Sequence, residues 1–256
     1  MKKLLMIILA MLLALPAAAR PLLVAAASDL AYCIDDLVVA FRQQVPGAEV
    51  KVSTGASGNF YAQIRNGAPF DVFLSADMDY PRELARLGVA DGKTLAPYAI
   101  GRIVLWTPDA RFDPSQGLAL LRDARVTRIA IGNPATAPYG RAAKAALERD
   151  GLWDAVRPRL VIGENVAQAA QFVQSGNAQV GIISLATLSA PRIAGVGRFY
   201  LIPETGLAPI EQGAIVTAHG KGHPLATRFL RFLDSPAAHA ILERNGFALP
   251  KVASNG

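Results

Sequence analysis

The sequence contains a single cysteine, Cys33, among 256 residues. One thiol cannot form an internal disulfide or build a cysteine-based zinc or iron–sulfur site. Histidine is also scarce, and the three histidines all lie in the last forty residues. His219 and His223 have the spacing of metal ligands, but the glycines and the proline around them disfavour a helix, so a solvated turn is predicted there. The sequence therefore predicts no cation ligated by the protein and no cofactor.

Basic residues outnumber acidic residues only slightly. The chain has 26 Lys and Arg and 20 Asp and Glu, a formal net charge of +6. Lys2 and Lys3 fall in a segment that we expect to be removed, which leaves 24 basic residues and a charge of +4. No run of basic residues occurs, and the aromatic residues, 7% of the chain, do not interleave with basic ones. The composition therefore predicts no binding to nucleic acid.

The sequence lacks the fingerprints of common enzyme classes. It has neither a P-loop nor a dinucleotide-binding glycine pattern. A serine hydrolase would require Gly-x-Ser-x-Gly at a strand-to-helix turn, whereas Ser57 lies in Gly-Ala-Ser-Gly-Asn, with no glycine two positions after the serine. Asp71, Asp77 and Asp79 lie at predicted strand edges and helix starts, where capping explains them. These features favour a binding protein, not an enzyme.

The first residues have the pattern of a secretory signal. Lys2 and Lys3 precede an apolar run over 4–15, and small residues at 17–19 suit a signal peptidase. Twelve apolar residues rise only about 18 Å as a helix, too short for the roughly 30 Å hydrocarbon core of a bilayer. We therefore predict a signal peptide over 1–19, cleavage near Ala19 and Arg20, and a periplasmic mature protein.

Strand-like and helix-like patterns alternate along the remaining chain. Residues 22–27 form a continuous apolar run typical of a buried parallel strand, and the apolar residues over 30–41 recur at helical spacing. Further strands are predicted at 49–53, 71–75, 101–107, 128–131, 160–162, 179–184 and 212–217, with helices at 59–66, 79–87, 140–149, 166–173 and around residues 229–233 and 241–242. This alternation predicts an α/β protein with mainly parallel sheets and flanking helices.

The β/α units fall into two groups, separated near Tyr98 and rejoined near Ile210. This grouping predicts two lobes joined by two hinge strands. After the signal peptide, lobe 1 is predicted to comprise 20–98 plus 210–256, and lobe 2 to comprise 99–209.

Small polar residues and glycines follow five of the predicted strands. Helices that begin at strand ends present unpaired N–H groups and the positive end of the helix dipole, which together favour anions. The five loops are 26–29, 54–59, 75–77, 133–140 and 163–166, and none contains Arg or Lys. For each loop alone an ordinary helix cap or turn is the simpler interpretation. Loops from both lobes that converged on one cleft would instead form an anion site.

These loops resemble those of the periplasmic molybdate-binding proteins of ABC transporters. The similarity runs from Val24 to about Leu249 and is carried by the order and spacing of several motifs. They are AAASDL (25–30), STGASGNFYAQIRNGAPFDVFLSAD (53–77), YAIGRIVLWT (98–107), GNPATAPYGRAAKAAL (132–147), GENVAQA (163–169) and NGFALP (245–250). The resemblance implies the fold of a type II periplasmic binding protein. It also implies a cleft that holds molybdate or tungstate through neutral hydrogen-bond donors and a permease that receives the ion.

Carried over residue by residue, the resemblance implies four donors. Ser28 and Ser57 would donate from the hydroxyl and the backbone N–H, while Tyr139 and Val166 would donate from the backbone N–H. Ala76 would line the pocket.

Three further residues depart from a simple neutral site. Some members of the family add a tyrosine hydroxyl from a later strand end, where this chain has Ser184, so a fifth donor is left open. Asp29 would repel a dianion, and we expect its side chain to turn outward toward the helix N-terminus. Arg141 is the nearest basic residue, and we expect it to lie along the helix surface.

Alternative ligands stay open from the sequence. Molybdate and tungstate are not distinguished, and a related lobed receptor for sulfate, phosphate or ferric iron is the main alternative. Iron would be expected to need adjacent tyrosines or a set of Tyr, His and carboxylate, whereas Tyr139 stands alone among the five loops. A secreted hydrolase is less favoured. We expect a monomer that captures the ion and closes about strands near Gly101 and Gly213.

Overall fold

The computed structural model describes residues 20–250, which form two five-stranded sheets with flanking helices. The strands are β1 (Leu22–Ala27), β2 (Val50–Gly55), β3 (Val72–Ser75), β4 (Ala96–Gly101), β5 (Ile103–Thr107), β6 (Ile129–Gly132), β7 (Leu160–Gly163), β8 (Val180–Ser184), β9 (Arg198–Leu201) and β10 (Ile210–Val216). The α-helices are α1 (Ile34–Gln44), α2 (Ser57–Arg65), α3 (Asp79–Arg86), α4 (Pro138–Arg149), α5 (Trp153–Val156), α6 (Val166–Gln174), α7 (Ala226–Leu233) and α8 (Pro236–Arg244). Short 3-10 helices include Ser28–Leu30, Pro114–Arg122 and Leu185–Ser189.

Both sheets follow the same strand plan. The first has the order β2-β1-β3-β10-β4 and the second has the order β7-β6-β8-β5-β9. In each sheet one strand, β10 or β5, is antiparallel to both of its neighbours, and the other four share a direction. The reversed strand is the first one after the chain crosses from the other sheet. It enters from the end at which the other strands finish, so it must run the opposite way. The predicted α/β architecture with mainly parallel sheets is confirmed, with one reversed strand in each sheet.

We call the first sheet with its helices lobe 1 and the second sheet with its helices lobe 2. The C-terminal helices α7 and α8 return to lobe 1, where aromatic residues join them to α1. The ring of Phe41 lies 5.1 Å from that of Phe229, edge to face, and 5.5 Å from that of Phe232. Aromatic pairs of this kind contribute about 0.5–1.5 kcal/mol beyond their buried area. The end of the described chain is thereby attached to the lobe that contains its beginning.

The crossings between the lobes differ from the single strand predicted at 101–107. That segment contains two strands, because β4 ends at Gly101 and β5 begins at Ile103, each in a different sheet. Between them the guanidinium of Arg102 donates to the carbonyl of Gly246 at 2.9 and 3.1 Å. The second crossing, over 202–209, is not a strand. The predicted lobe boundary at 98/99 falls within β4, and the exact lobe limits stay a prediction.

Residues 1–19, where the signal peptide is predicted, lie outside the described part of the chain. Between residues 20 and 250, no helix combines the length and the apolar character needed to cross a bilayer. Arg20, the predicted first residue after cleavage, is anchored to lobe 1. Its guanidinium makes two hydrogen bonds to the buried carboxylate of Asp71, at 2.6 and 2.8 Å.

Candidate functional site

A small cavity lies between the lobes, at the carboxyl ends of their parallel strands. The centre of a water-sized sphere can occupy about 10 Å³ of it, which is room for about one water molecule. Its lining residues are Ala27, Ser28, Asp29, Gly55, Ala56, Ser57, Ala76, Ala137, Pro138, Tyr139 and Val166. Five of the six residues implied by the resemblance are therefore brought together, and Ser184 is not among them.

Two serines of lobe 1 reach the cavity from neighbouring strand ends. Ser28 follows β1 directly and is 6% exposed. Ser57 is the first residue of α2, where a backbone N–H has no acceptor within the helix. The Ser57 hydroxyl does not cap its own helix but accepts a hydrogen bond from the N–H of Ala76 at 3.0 Å. This bond uses one lone pair of the oxygen, and the hydroxyl can still donate its proton into the cavity.

Two helices of lobe 2 begin at the opposite wall of the cavity. Tyr139 is the second residue of α4, after Pro138, and Val166 is the first residue of α6. The N–H groups of both residues have no acceptor within their helices. In α6 the side chain of Asn165 caps the N–H of Gln168 at 3.0 Å, which leaves the N–H of Val166 for another partner. Three helix N-termini from two lobes therefore face one cavity, and their dipoles favour negative charge there.

Ser184 lies behind the cavity. It is fully buried at the end of β8, and its hydroxyl oxygen accepts from the N–H of Ala186 at 3.1 Å, which caps the following 3-10 helix. Burial raises the pKa of Tyr139 well above its usual value, and the nearby Ser184 hydroxyl opposes that shift. In this conformation Ser184 supports a wall of the cavity but does not line it.

The expectation that Asp29 turns outward was wrong. Its side chain is buried, with the residue 1% exposed, and its Oδ2 accepts from Nε2 of Gln212 at 2.5 Å. The Oε1 atom of Gln212 accepts in turn from the Tyr98 hydroxyl at 2.6 Å. Burial raises the pKa of Asp29 to about 6, while the hydrogen bond from Gln212 acts in the opposite direction. This donor replaces part of the hydration that the carboxyl group loses on burial.

Arg141 also differs from the expectation, because it does not lie along the surface of α4. Its guanidinium reaches lobe 1, where it forms an ion pair with Asp77, donates to the Tyr80 hydroxyl at 3.2 Å and lies 5.2 Å from the centre of the Tyr80 ring. Burial raises the pKa of Asp77, and the charge of Arg141 opposes that shift. The positive charge of Arg141 on α4 therefore compensates the largely buried carboxylate of Asp77 in lobe 1.

Two further hydrogen bonds connect the lobes beside the cavity. The N–H of Gly58 donates to the carbonyl of Thr136 at 2.8 Å, and Nδ2 of Asn59 donates to Oε1 of Glu164 at 2.9 Å. A Cβ atom at position 58 would lie 2.7 Å from that carbonyl oxygen, so only glycine permits this approach. The lobes are thus in contact across the cleft.

The cavity offers a ligand uncharged hydrogen-bond donors. Hydroxyl and backbone N–H groups line it, and Asp29 is the only charged side chain among its lining residues. Within residues 20–250, no group of three His, Cys, Asp or Glu side chains is placed to hold a metal ion. Fixed neutral donors can replace the hydration shell of a small anion without adding a cation to the site.

Two α/β lobes in contact around a small cavity lined by hydroxyl and backbone N–H groups are the architecture of a two-lobed solute-binding protein. The family model for bacterial extracellular solute-binding proteins matches residues 22–248, and the chain belongs to this family. It is 36% identical over 93% of its length to the molybdate-binding protein ModA of Azotobacter vinelandii, covering 94% of that protein. It is 34% identical to ModA of Rhodobacter capsulatus, with 93% and 92% of the two chains covered. A solved periplasmic molybdate-binding protein of Azotobacter vinelandii superposes with a TM-score of 0.84 at 34% identity, covering 90% of this chain and 100% of that one.

Proposed function

We propose that this protein binds molybdate in the cavity between its lobes and delivers it to an ABC transporter permease. The observation that carries the proposal is the convergence of three helix N-termini and two serines on one cavity without a cationic side chain. The relatives named as molybdate-binding proteins, which are similar over nearly the whole chain, support the choice of ion.

In this proposal, Ser28 and Ser57 donate from their hydroxyl and N–H groups, and Tyr139 and Val166 donate from their N–H groups. Ala76 shapes the wall and holds the Ser57 hydroxyl. A dianion loses a large hydration energy on entry, and charge-assisted hydrogen bonds from preoriented donors replace it. Such fixed donors select by size, because a tetrahedral oxyanion contacts all of them only in a cavity of matching radius. Tungstate, with the same shape and charge, is proposed as a second ligand.

We further propose that residues 1–19 direct export and are removed near Ala19 and Arg20, so that the protein works in the periplasm as a monomer. The lobes are proposed to comprise 20–98 plus 210–256 and 99–209, except that residues 99–101 complete β4 in the sheet of lobe 1. The anchoring of Arg20 to Asp71 supports this start of the mature chain. Closure of the lobes on the ion would draw its free energy from donors that contact the ion only when both lobes engage.

Calorimetric titration with a panel of oxyanions tests the proposed ligand. Molybdate and tungstate should each bind at one site per chain, whereas sulfate and phosphate at the same concentrations should give little heat. At about a thousand times the dissociation constant, a ligand that binds only the folded state adds about 4 kcal/mol of stability, visible as a higher melting temperature. Sodium chloride should weaken binding only modestly, because a buried site made of dipoles is poorly screened. Tight binding of sulfate or phosphate with no response to molybdate would contradict the proposal.

A further inference from the structure

A buried carboxyl group lies in the lining of the candidate site. Asp29 lines the cavity and follows Ser28 directly, so an oxyanion held by Ser28 would lie close to its side chain. Its Oδ1 atom is buried and has no hydrogen-bond partner among residues 20–250. A buried carboxylate oxygen without a donor is costly, and two further negative charges nearby would add to that cost.

The two oxygens of Asp29 are not equivalent. The Tyr98 hydroxyl donates to Oε1 of Gln212, which orients the amide so that Nε2 donates to Oδ2 of Asp29. Nε2 also donates to the Tyr139 hydroxyl oxygen at 3.0 Å, so both N–H bonds of the amide nitrogen have acceptors. Oδ2 must therefore remain an acceptor, and Oδ1 is the atom that can carry a proton.

The groups that face Asp29 do not supply a compensating positive charge. Tyr98 from β4 and Tyr139 from α4 have pKa values raised well above the usual value by burial, with the nearby Asp29 charge adding to the shift. Burial likewise raises the pKa of Cys33, which precedes α1. Gln212 from β10 and Ser184 from β8 do not titrate. These neighbours stay neutral through the physiological range, so the Asp29 carboxyl is the group in this cluster that can change charge.

We propose that Asp29 takes up one proton as the oxyanion enters the cavity, so that the site binds a dianion and a proton together. This inference rests on the proposed function. The neutral carboxyl group removes the one repulsive charge from the lining, and its O–H at Oδ1 adds a donor to the site. It also removes the one carboxylate acceptor that could receive the proton of hydrogen phosphate, so the protonated site favours a fully deprotonated oxyanion.

The direction of the pH dependence follows from this coupling. Free Asp29 titrates with a pKa of about 6, and a bound dianion raises that pKa further. Well below pH 6 both the free protein and the complex carry the proton, so affinity is level there. Above pH 6 the free protein must acquire a proton to bind, so affinity should fall, by up to about tenfold for each pH unit, until the pKa of the complex is reached.

Calorimetry of the purified protein with sodium molybdate measures the proton directly. Titrations at pH 7.5 in buffers of different ionisation enthalpy should show uptake of between half and one proton per bound ion. In Asp29→Asn the side-chain oxygen can still accept from Gln212, and the NH₂ group takes the place of the O–H of the protonated carboxyl group. It should take up no proton, show an affinity that is level from pH 6.5 to 8.5, and bind molybdate more tightly than the unmodified protein at pH 8.5.

Asp77→Asn is the matched control, since Asp77 is also a largely buried carboxyl group near the cleft but does not line the cavity. It should retain the proton uptake per bound ion. Saturable molybdate binding by the unmodified protein with no proton uptake would overturn the proton coupling alone. Proton uptake that persisted in Asp29→Asn would overturn the assignment to Asp29. Another titratable group that this variant retains, such as one of the three histidines, would then be taking up the proton. Absence of molybdate binding at every pH would overturn the proposed function and this inference with it.

Discussion

Ser57 and Ser184 both stand where a strand gives way to a helix, yet their hydroxyl groups have different surroundings. The Ser57 oxygen accepts from Ala76 across to the next strand end, and its proton is left for the cavity. The Ser184 oxygen caps the helix that follows it, at Ala186, and lies outside the lining. A small polar residue at a strand end can therefore bind a ligand or cap a helix, and only its partners distinguish the two.

Replacement of these serines separates the two roles. Ser57→Ala should weaken molybdate binding roughly 10- to 150-fold, because it removes one charge-assisted hydrogen bond worth about 1.5–3 kcal/mol. Ser28→Ala should behave similarly. Ser184→Ala, the matched control, should cost clearly less. Calorimetry measures the affinities, and a thermal melt checks that Ser57→Ala loses no more than about 1 kcal/mol of stability with the acceptor of Ala76. Equal losses for Ser57→Ala and Ser184→Ala would show that Ser184 acts as a full donor.

The positions of individual side chains were only partly predictable from the sequence. The strand ends and helix starts that hold Ser28, Ser57, Tyr139 and Val166 are local patterns and could be predicted, but the choice of these residues within the loops came from the resemblance to a known family. The inward position of Asp29 could not be predicted, because its hydrogen-bond partner Gln212 is 183 positions away in the chain. The sequence shows a carboxylate next to Ser28 at a strand end. Nothing in the local pattern identifies Gln212 as the residue whose amide donates to that carboxylate.

At the level of elements, the N-terminus of α4 has two functions in the proposed mechanism. Its first turn presents the Tyr139 N–H to the cavity, and Arg141, two residues later, reaches across to Asp77 and Tyr80 of lobe 1. The same turn of helix thus faces the ligand and contacts the opposite lobe. Binding of the ion and approach of the lobes are coupled through one rigid element.

Arg141→Ala should weaken molybdate binding about fivefold without changing the donors. The Arg141 side chain is 39% exposed, so the interlobe ion pair contributes about 1 kcal/mol to the closed form, not several. Arg82→Ala is a suitable control, because Arg82 pairs with Asp79 within α3 at 3.6 Å and does not cross the cleft. The control should bind as the unmodified protein does. An affinity unchanged in Arg141→Ala would show that its contact with lobe 1 does not contribute to binding.

The elements themselves were predictable to the extent that their apolar residues recur regularly. The continuous buried run of β1 is found at the predicted residues 22–27, and α1 follows it as predicted. The strand β9 was missed because it has no buried face to give a regular apolar pattern. Two of its four residues, Phe199 and Leu201, are large and apolar yet 52% and 42% exposed. The run over 101–107 was read as one strand because Arg102, the point at which the chain changes sheets, interrupts it by a single residue.

For the whole molecule, the two lobes form one site that neither contains alone. Lobe 1 contributes Ser28 and Ser57, and lobe 2 contributes Tyr139 and Val166. An ion held by one lobe lacks half of its donors until the other lobe approaches, so full affinity requires closure. The shared strand plan of the two sheets explains the arrangement, because each lobe places the ends of its parallel strands, and the helices that start there, toward the other lobe.

A crystal structure of the molybdate complex, with anomalous scattering recorded at the molybdenum absorption edge, tests the central claim most directly. The proposed mechanism predicts a single molybdenum position between the lobes, with oxygens within hydrogen-bond distance of the Ser28 and Ser57 hydroxyls and of the N–H groups of Tyr139 and Val166. A molybdenum position elsewhere on the protein, or an interlobe cavity without molybdenum in a crystal saturated with molybdate, would contradict it.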